Sequence, residues 1–214
     1  MSTTNGMIGQ SVKRVEDKRF ITGKGRFTDD IILPGQTYAA FVRSPLAHAK
    51  IIHVDIDTAK GMPGVVKIFT GADVAHINGV PVGWQVNFKN GDTMKEPKHP
   101  LLLADKVRQI GDAVAIVIAE TREKAVDAVE AIQVEYEELP VVISAVEAIK
   151  PGAPLVHDDV PNNICFDWQL GNSKEEVEEA ISGAAHVTTL EFVNQRMIPN
   201  AIDGALSTCR ISMN

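Results

Sequence analysis

The chain has 214 residues, of which 44% are apolar and 23% charged, a balance that excludes a globally disordered or low-complexity polypeptide. Its formal charge of −7 argues against a nucleic-acid partner, which calls for a basic patch. The longest uncharged apolar stretch, Ala113–Ala119, falls far short of the roughly 18 residues that a membrane span needs, so no span is expected. Cys165 and Cys209 are too few for a disulfide framework or a zinc site, and the polar N-terminus shows no secretory signal, so a cytoplasmic globular protein is expected.

Residues 1–19 read as an N-terminal arm. Gly23-Lys24-Gly25 and Thr28-Asp29-Asp30 are turn chemistry, because Gly accepts positive φ and Asp bonds its own backbone. Residues 20–145 then carry the pattern of one domain. Thr37–Arg43 alternates with enough apolar character on both sides to predict a strand buried on both faces, and Ser44-Pro45 ends it as a plain turn. Lys50–Ile56 predicts a second strand, with Ile52, Val54 and Ile56 on one face and Ile51, His53 and Asp55 on the other. Thr58 is placed to cap a short helical turn, and Val65–Phe69 predicts a third strand.

Residues 76–100 form a long irregular stretch, of the kind that lies over a partner or a site. Val107–Ala119 reads as two strands or one bent strand, interrupted at Gly111-Asp112. Thr121 caps a helix whose apolar stripe is Ala125, Val126, Val129 and Ile132, and Val134–Tyr136 returns as a strand. The strand–helix–strand order over 113–136 predicts a βαβ-like unit in an α+β domain with a mixed sheet.

The Pro- and Gly-rich residues 146–172 read as a linker. Ser173-Lys174-Glu175-Glu176 is a capping box that opens a helix with Val177, Ala180 and Ile181 inward and a stop at Gly183, followed by a strand over His186–Val193. One helix and one strand bury no core alone, so 173–203 read as the start of a second, incomplete domain, and self-association through it is expected.

The residues offer little recognisable chemistry. His48, His53, His76, His99, His157 and His186 contain no HExxH and no helical i, i+4 pair, and His157-Asp158-Asp159 on one extended segment cannot converge on an ion. Gly23-Lys24-Gly25 lacks the third glycine and the helix of a dinucleotide loop. Ser44 lies outside any GxSxG elbow, Cys165 reads as a buried small residue, and Glu175, Glu176, Glu178 and Glu179 as the solvated face of their helix. No catalytic, cofactor-binding or metal-binding residue is assigned.

One highly specific signal remains: the succession Gly9-Gln-Ser-Val-Lys-Arg-Val-Glu-Asp17, Thr22-Gly-Lys-Gly-Arg-Phe-Thr-Asp-Asp30, Ala40-Phe-Val-Arg-Ser-Pro-Leu-Ala-His-Ala49, Pro63-Gly-Val-Val-Lys-Ile-Phe-Thr-Gly-Ala-Asp73 and Gly111-Asp-Ala-Val-Ala-Ile-Val-Ile-Ala119. Continued through Ala128–Pro140 and Phe192–Ala201, it resembles the start of the molybdopterin-binding large subunit of the xanthine dehydrogenase and aldehyde oxidase superfamily, most nearly the aerobic carbon monoxide dehydrogenases. The resemblance implies an α/β hammerhead domain followed by the incomplete start of a molybdenum-cofactor-binding domain. It implies oxidative hydroxylation of a small substrate, such as carbon monoxide, an aldehyde or a purine, at a molybdopterin cytosine dinucleotide centre of the complete subunit. The implied partners are the remainder of that subunit and iron–sulfur and flavin subunits.

The family's cofactor loops and catalytic acid lie beyond the matching region, so none is carried onto a residue here, and the chain alone is expected to bind no cofactor. After Pro199-Asn200-Ala201 the family pattern expects an acidic residue and then Pro-Arg, whereas 204–214 form a divergent tail and only Asp203 can stand for the acid. A truncated or frameshifted subunit is therefore expected, the alternative being a non-catalytic hammerhead assembly module or a vestigial product.

Overall fold

The computed structural model describes residues 11–194; the expected arm up to residue 10, residues 195–203, the divergent tail over 204–214 and Cys209 lie outside the described residues. The chain divides into two compact units, one of Thr37–Thr188 and one of the stretches on either side.

In the smaller unit, helix α1 (Asp17–Ile21) is steadied by the Arg19–Glu16 pair at 3.2 Å, and Thr22 Oγ1 donates to the Lys18 carbonyl at 2.6 Å. Gly23 takes φ +69°, and Thr28–Asp30 form a single 3-10 turn in which Asp30 accepts from the Phe27 amide at 2.8 Å. The turn chemistry expected of both segments is present. Phe20 and Phe27 stack at 5.5 Å between ring centres.

The larger unit runs β1 (Tyr38–Arg43), β2 (Ala49–Asp55), α2 (Asp57–Lys60), β3 (Val65–Thr70), α3 (Gly71–Val74), β4 (Lys106–Val107), β5 (Ala113–Ala119), α4 (Arg122–Glu130), β6 (Gln133–Glu138), α5 (Ala145–Ala148) and α6 (Lys174–Ser182). The strands form two three-stranded sheets, β1-β5-β3 and β4-β2-β6. The β-branched run of β5 makes the central strand of the first, and its two faces feed two cores. Ala115 and Val117 pack with Val42, Ile68, Ala128 and Ile132, while Val114 joins Ala49, Leu103 and Val107. Thr121 caps α4 as expected, accepting from the Lys124 amide at 3.3 Å, and α4 lies across β1 and β5.

The α+β character is as expected, but the single mixed sheet is not found. Every ladder is antiparallel, and β5 and β6 belong to different sheets. Both edges of β5 are occupied, by β1 and β3, so the strand that follows α4 cannot pair beside β5 and joins β2 instead.

Four local expectations are corrected. In β1 only one face is inward: Val42 is buried and Tyr38 and Ala40 half-buried, whereas Phe41 is 41% exposed. In β2 a bulge between Ile51 and His53 breaks the alternation, so Ile51 and Val54 pack inward while Ile52 is exposed. Thr58 sits inside α2, and Asp55 instead accepts the Asp57 amide at 3.0 Å. On α4 the buried positions are Ala125 and Ala128, with Val129 at the edge of the core and Val126 exposed, because close approach to β1 and β5 selects alanine.

Residues 146–172, expected as a linker, have structure of their own. Asn163, at φ +57°, donates through Nδ2 to the carbonyls of Ala148 and Pro154 at 2.9 Å each and accepts the Val156 amide at 2.8 Å. Helix α6 has the expected capping box, with the Glu176 amide donating to Ser173 Oγ at 3.2 Å, but none of its residues is buried. Residues 186–193 form no strand: no ladder partner takes up their amides and carbonyls among the described residues.

Candidate functional site

Two glycines shape a polar cleft of the larger unit. Gly111 has φ +92°, a left-handed turn that reverses the chain between β4 and β5. The turn closes on the Asp112 carboxylate, which accepts from the amides of Arg108 at 2.7 Å and Gln109 at 3.1 Å. It is tied to the end of β1 by Gly111 N to Ser44 O and Ser44 N to Asp112 O, both at 2.8 Å, and by Arg43 Nη1 donating to the Gly111 carbonyl at 2.8 Å. Gly79 lies against the His99 carbonyl, where a Cβ would collide, and the Val80 amide donates to that carbonyl at 2.8 Å. The long 76–100 stretch is thereby held with Lys98 and His99 beside the β4–β5 turn.

Between them lies a cleft of about 320 Å³ whose polar lining is Lys98, His99, Arg108, Gln109, Asp112 and His157, with Leu103 on its apolar side. The Arg108 side chain is only 19% exposed. Its Nη1 donates to the Lys106 carbonyl at 2.9 Å, its Nη2 lies 3.7 Å from Asp105, and its Nε is buried without a partner. Burial, then the positive charges of Arg108 and His99, hold the His157 imidazole below its ordinary range, against the opposing pull of Asp159 and Asp158. Beside the cleft, Lys106 Nζ donates to Asp158 Oδ2 at 2.7 Å and keeps that carboxyl low.

The other candidate residues do not converge. His48 precedes β2 and donates through Nδ1 to the Pro140 carbonyl at 2.7 Å, a strut between β2 and the end of β6; His53 is exposed on β2. His76 is exposed at the start of the long loop, and among the described residues His186 hydrogen-bonds Thr188 Oγ1, at 3.3 Å. Ser44 is buried, and its hydroxyl donates to the Leu46 carbonyl at 2.9 Å in a local turn, as expected. Cys165 is half-buried rather than buried, in a segment whose backbone is tied to the exposed long loop by the Lys95 amide donating to the Cys165 carbonyl at 2.8 Å. Glu175, Glu176, Glu178 and Glu179 are solvated as expected. The sequence marks Gly111-Asp112 as a chain interruption but not Arg108 or Asn163 as site residues, and the only local signal for Arg108 is the Arg-Gln-Ile-Gly-Asp turn pattern.

The described residues show no cradle built for a molybdenum–pterin group. They contain no cluster of three or more His, Cys, Asp or Glu able to hold a metal. The two helices long enough to offer a phosphate their N-terminus each have one first-turn amide taken by the cap, Lys124 N by Thr121 and Glu176 N by Ser173, and both carry acidic residues in the first turn that disfavour an anion there. Gly23 and Gly91 each lie in turns that no such helix follows.

Residues 22–140, more than half of the chain, match the family described as aldehyde oxidase and xanthine dehydrogenase, a/b hammerhead domain. The chain is 37% identical over 187 residues to the nicotine 6-hydroxylase large subunit of Paenarthrobacter nicotinovorans, covering 87% of this chain and 22% of that one. It is 34% identical over 208 residues to the carbon monoxide dehydrogenase large chain of Afipia carboxidovorans, covering 92% and 24%. Among solved structures, quinoline 2-oxidoreductase from Pseudomonas putida superimposes with a TM-score of 0.62 at 39% identity, over 72% of this chain and 19% of that one. The carbon monoxide dehydrogenase of Oligotropha carboxidovorans does so with a TM-score of 0.64 at 34% identity, over 83% and 22%. The chain thus spans about a quarter or less of the length of the relatives it matches. The antiparallel two-sheet domain and this matching region coincide, and the chain belongs to the aldehyde oxidase and xanthine dehydrogenase family, the molybdenum hydroxylase large subunits, through its α/β hammerhead domain.

Proposed function

We propose that the chain is the N-terminal, non-catalytic portion of a molybdenum hydroxylase large subunit, working with the remainder of that subunit and with iron–sulfur and flavin partners. In this reading the complete assembly hydroxylates a small substrate such as carbon monoxide, an aldehyde or a purine, and the molybdopterin is held outside these residues. The observation that carries it is the contrast within the larger unit. Residues 38–138 bury two cores of their own, whereas the well-capped helix α6 buries nothing and presents Val177 and Ile181 at 45% and 51% exposure. A capped amphipathic helix with its apolar stripe in solvent fits a segment completed by further polypeptide.

The test is co-expression of the tagged chain with the part of the Afipia carboxidovorans large chain that it does not match. A stoichiometric complex that is lost on changing Val177 and Ile181 to lysine supports the reading. Absence of any complex, with the hammerhead folded, overturns it.

A further inference from the structure

We propose that the cleft between the 98–103 segment, the β4–β5 turn and Val156-His157 is an oxyanion site, taking one carboxylate or phosphate group against Arg108, with Lys98, His99 and His157 around it. The first support is an under-used guanidinium. Arg108 offers five N–H donors, is largely removed from water, and among the described residues makes one side-chain hydrogen bond, to the Lys106 carbonyl; the Asp105 contact at 3.7 Å is an ion pair too long to be a second. A largely sheltered guanidinium with most of its N–H donors unused is better satisfied when an anion completes its shell.

The second support is the lining. Lys98 and His99 make no side-chain hydrogen bond or ion pair among the described residues, and the one acid on the wall, Asp112, is already satisfied by two backbone amides. Asp158 is likewise paired, with Lys106. The open donors therefore outnumber the open acceptors at the wall. The third support is size: about 320 Å³ suits a small anion or a single acidic group.

His157 supplies a readout. Burial first, and then the charges of Arg108 and His99, disfavour its protonation, while Asp159 and Asp158 favour it and Lys98 lines the same cleft; an anion at Arg108 would offset the positive part of that balance. Binding and His157 protonation are then coupled, each favouring the other.

The experiment is NMR of the full 214-residue chain with labelled histidine, titrated at constant ionic strength with inorganic phosphate and separately with acetate. The expected result is saturable movement of the His157 and His99 resonances with a dissociation constant of about 1 mM or tighter for at least one anion, and a rise in the His157 titration midpoint. Arg108→Gln should weaken binding at least about tenfold. If that variant does not fold, Lys98→Gln, on an exposed loop, should weaken it about two- to threefold. The anion that saturates identifies the ligand as carboxylate or phosphate. Non-saturable shifts with both anions, or affinity unchanged in whichever variant folds, overturn the proposal.

Discussion

The carboxylate of Asp112 accepts the backbone amide of Arg108 at 2.7 Å, so the acid that follows the left-handed Gly111 fixes the residue that enters the cleft four positions earlier. Because the same Oδ2 also takes the Gln109 amide, removing the carboxylate leaves two partly shielded donors unpaired. Asp112→Ala should destabilise the hammerhead by about 1–3 kcal/mol in denaturant unfolding. A loss below about 0.5 kcal/mol would show that the turn closes without its acid.

The face of α4 makes a paired prediction. Ala128 is fully buried against β1 and β5, whereas Val126, one of the stripe residues expected from periodicity, is 45% exposed. Ala128→Asp places an unpaired charge in the core and should cost about 3 kcal/mol or more, while Val126→Asp should stay within about 0.5 kcal/mol of wild type. Equal losses at both positions would mean that the helix is rotated from the orientation described.

The His157 imidazole protonates less readily in the folded chain than in the unfolded one, chiefly through burial and then Arg108. Its contribution to stability is therefore fully present above its ordinary value of 6.5 and is lost as the pH falls through that value toward the lower folded one. His157→Gln should flatten the stability profile between about pH 7 and pH 5, above the range where carboxylates such as Asp158 and Asp73 titrate. An unchanged slope in the variant would place His157 in ordinary solvent.

Exposed apolar residues on α6 should make the chain self-associate. Sedimentation at rising concentration should show dimers or larger species, and changing Val177 and Ile181 together to lysine should restore monomer without lowering the melting temperature, since neither residue is buried. A wild-type chain that stays monomeric at high concentration would contradict this.

Much of the fold was legible because its signals are local. The β-branched run of β5, the Thr121 and Ser173 caps and the Gly111-Asp112 interruption each depend on residues within a few positions of one another. Sheet membership is not local: that β6 joins β2 rather than β5 follows from β1 and β3 having filled both edges of β5. The Ile51/His53 bulge is equally a property of the β2–β6 pairing. The His186–Val193 pattern alternates like a strand, yet alternation supplies no neighbour to pair with. The cleft was the least legible part. Its residues come from three separated segments, and nothing in the sequence around Arg108 announces that the guanidinium is sheltered from water.

The most direct measurement is metal analysis of the purified chain, paired with dye-reduction assays on carbon monoxide, aldehydes and purines. The described residues offer no metal-holding cluster, and their two longer helices begin with a side-chain cap and acidic residues, so the expected result is no stoichiometric molybdenum and no turnover by the chain alone. Stoichiometric molybdenum, or turnover without a further polypeptide, would contradict the assignment of a non-catalytic portion.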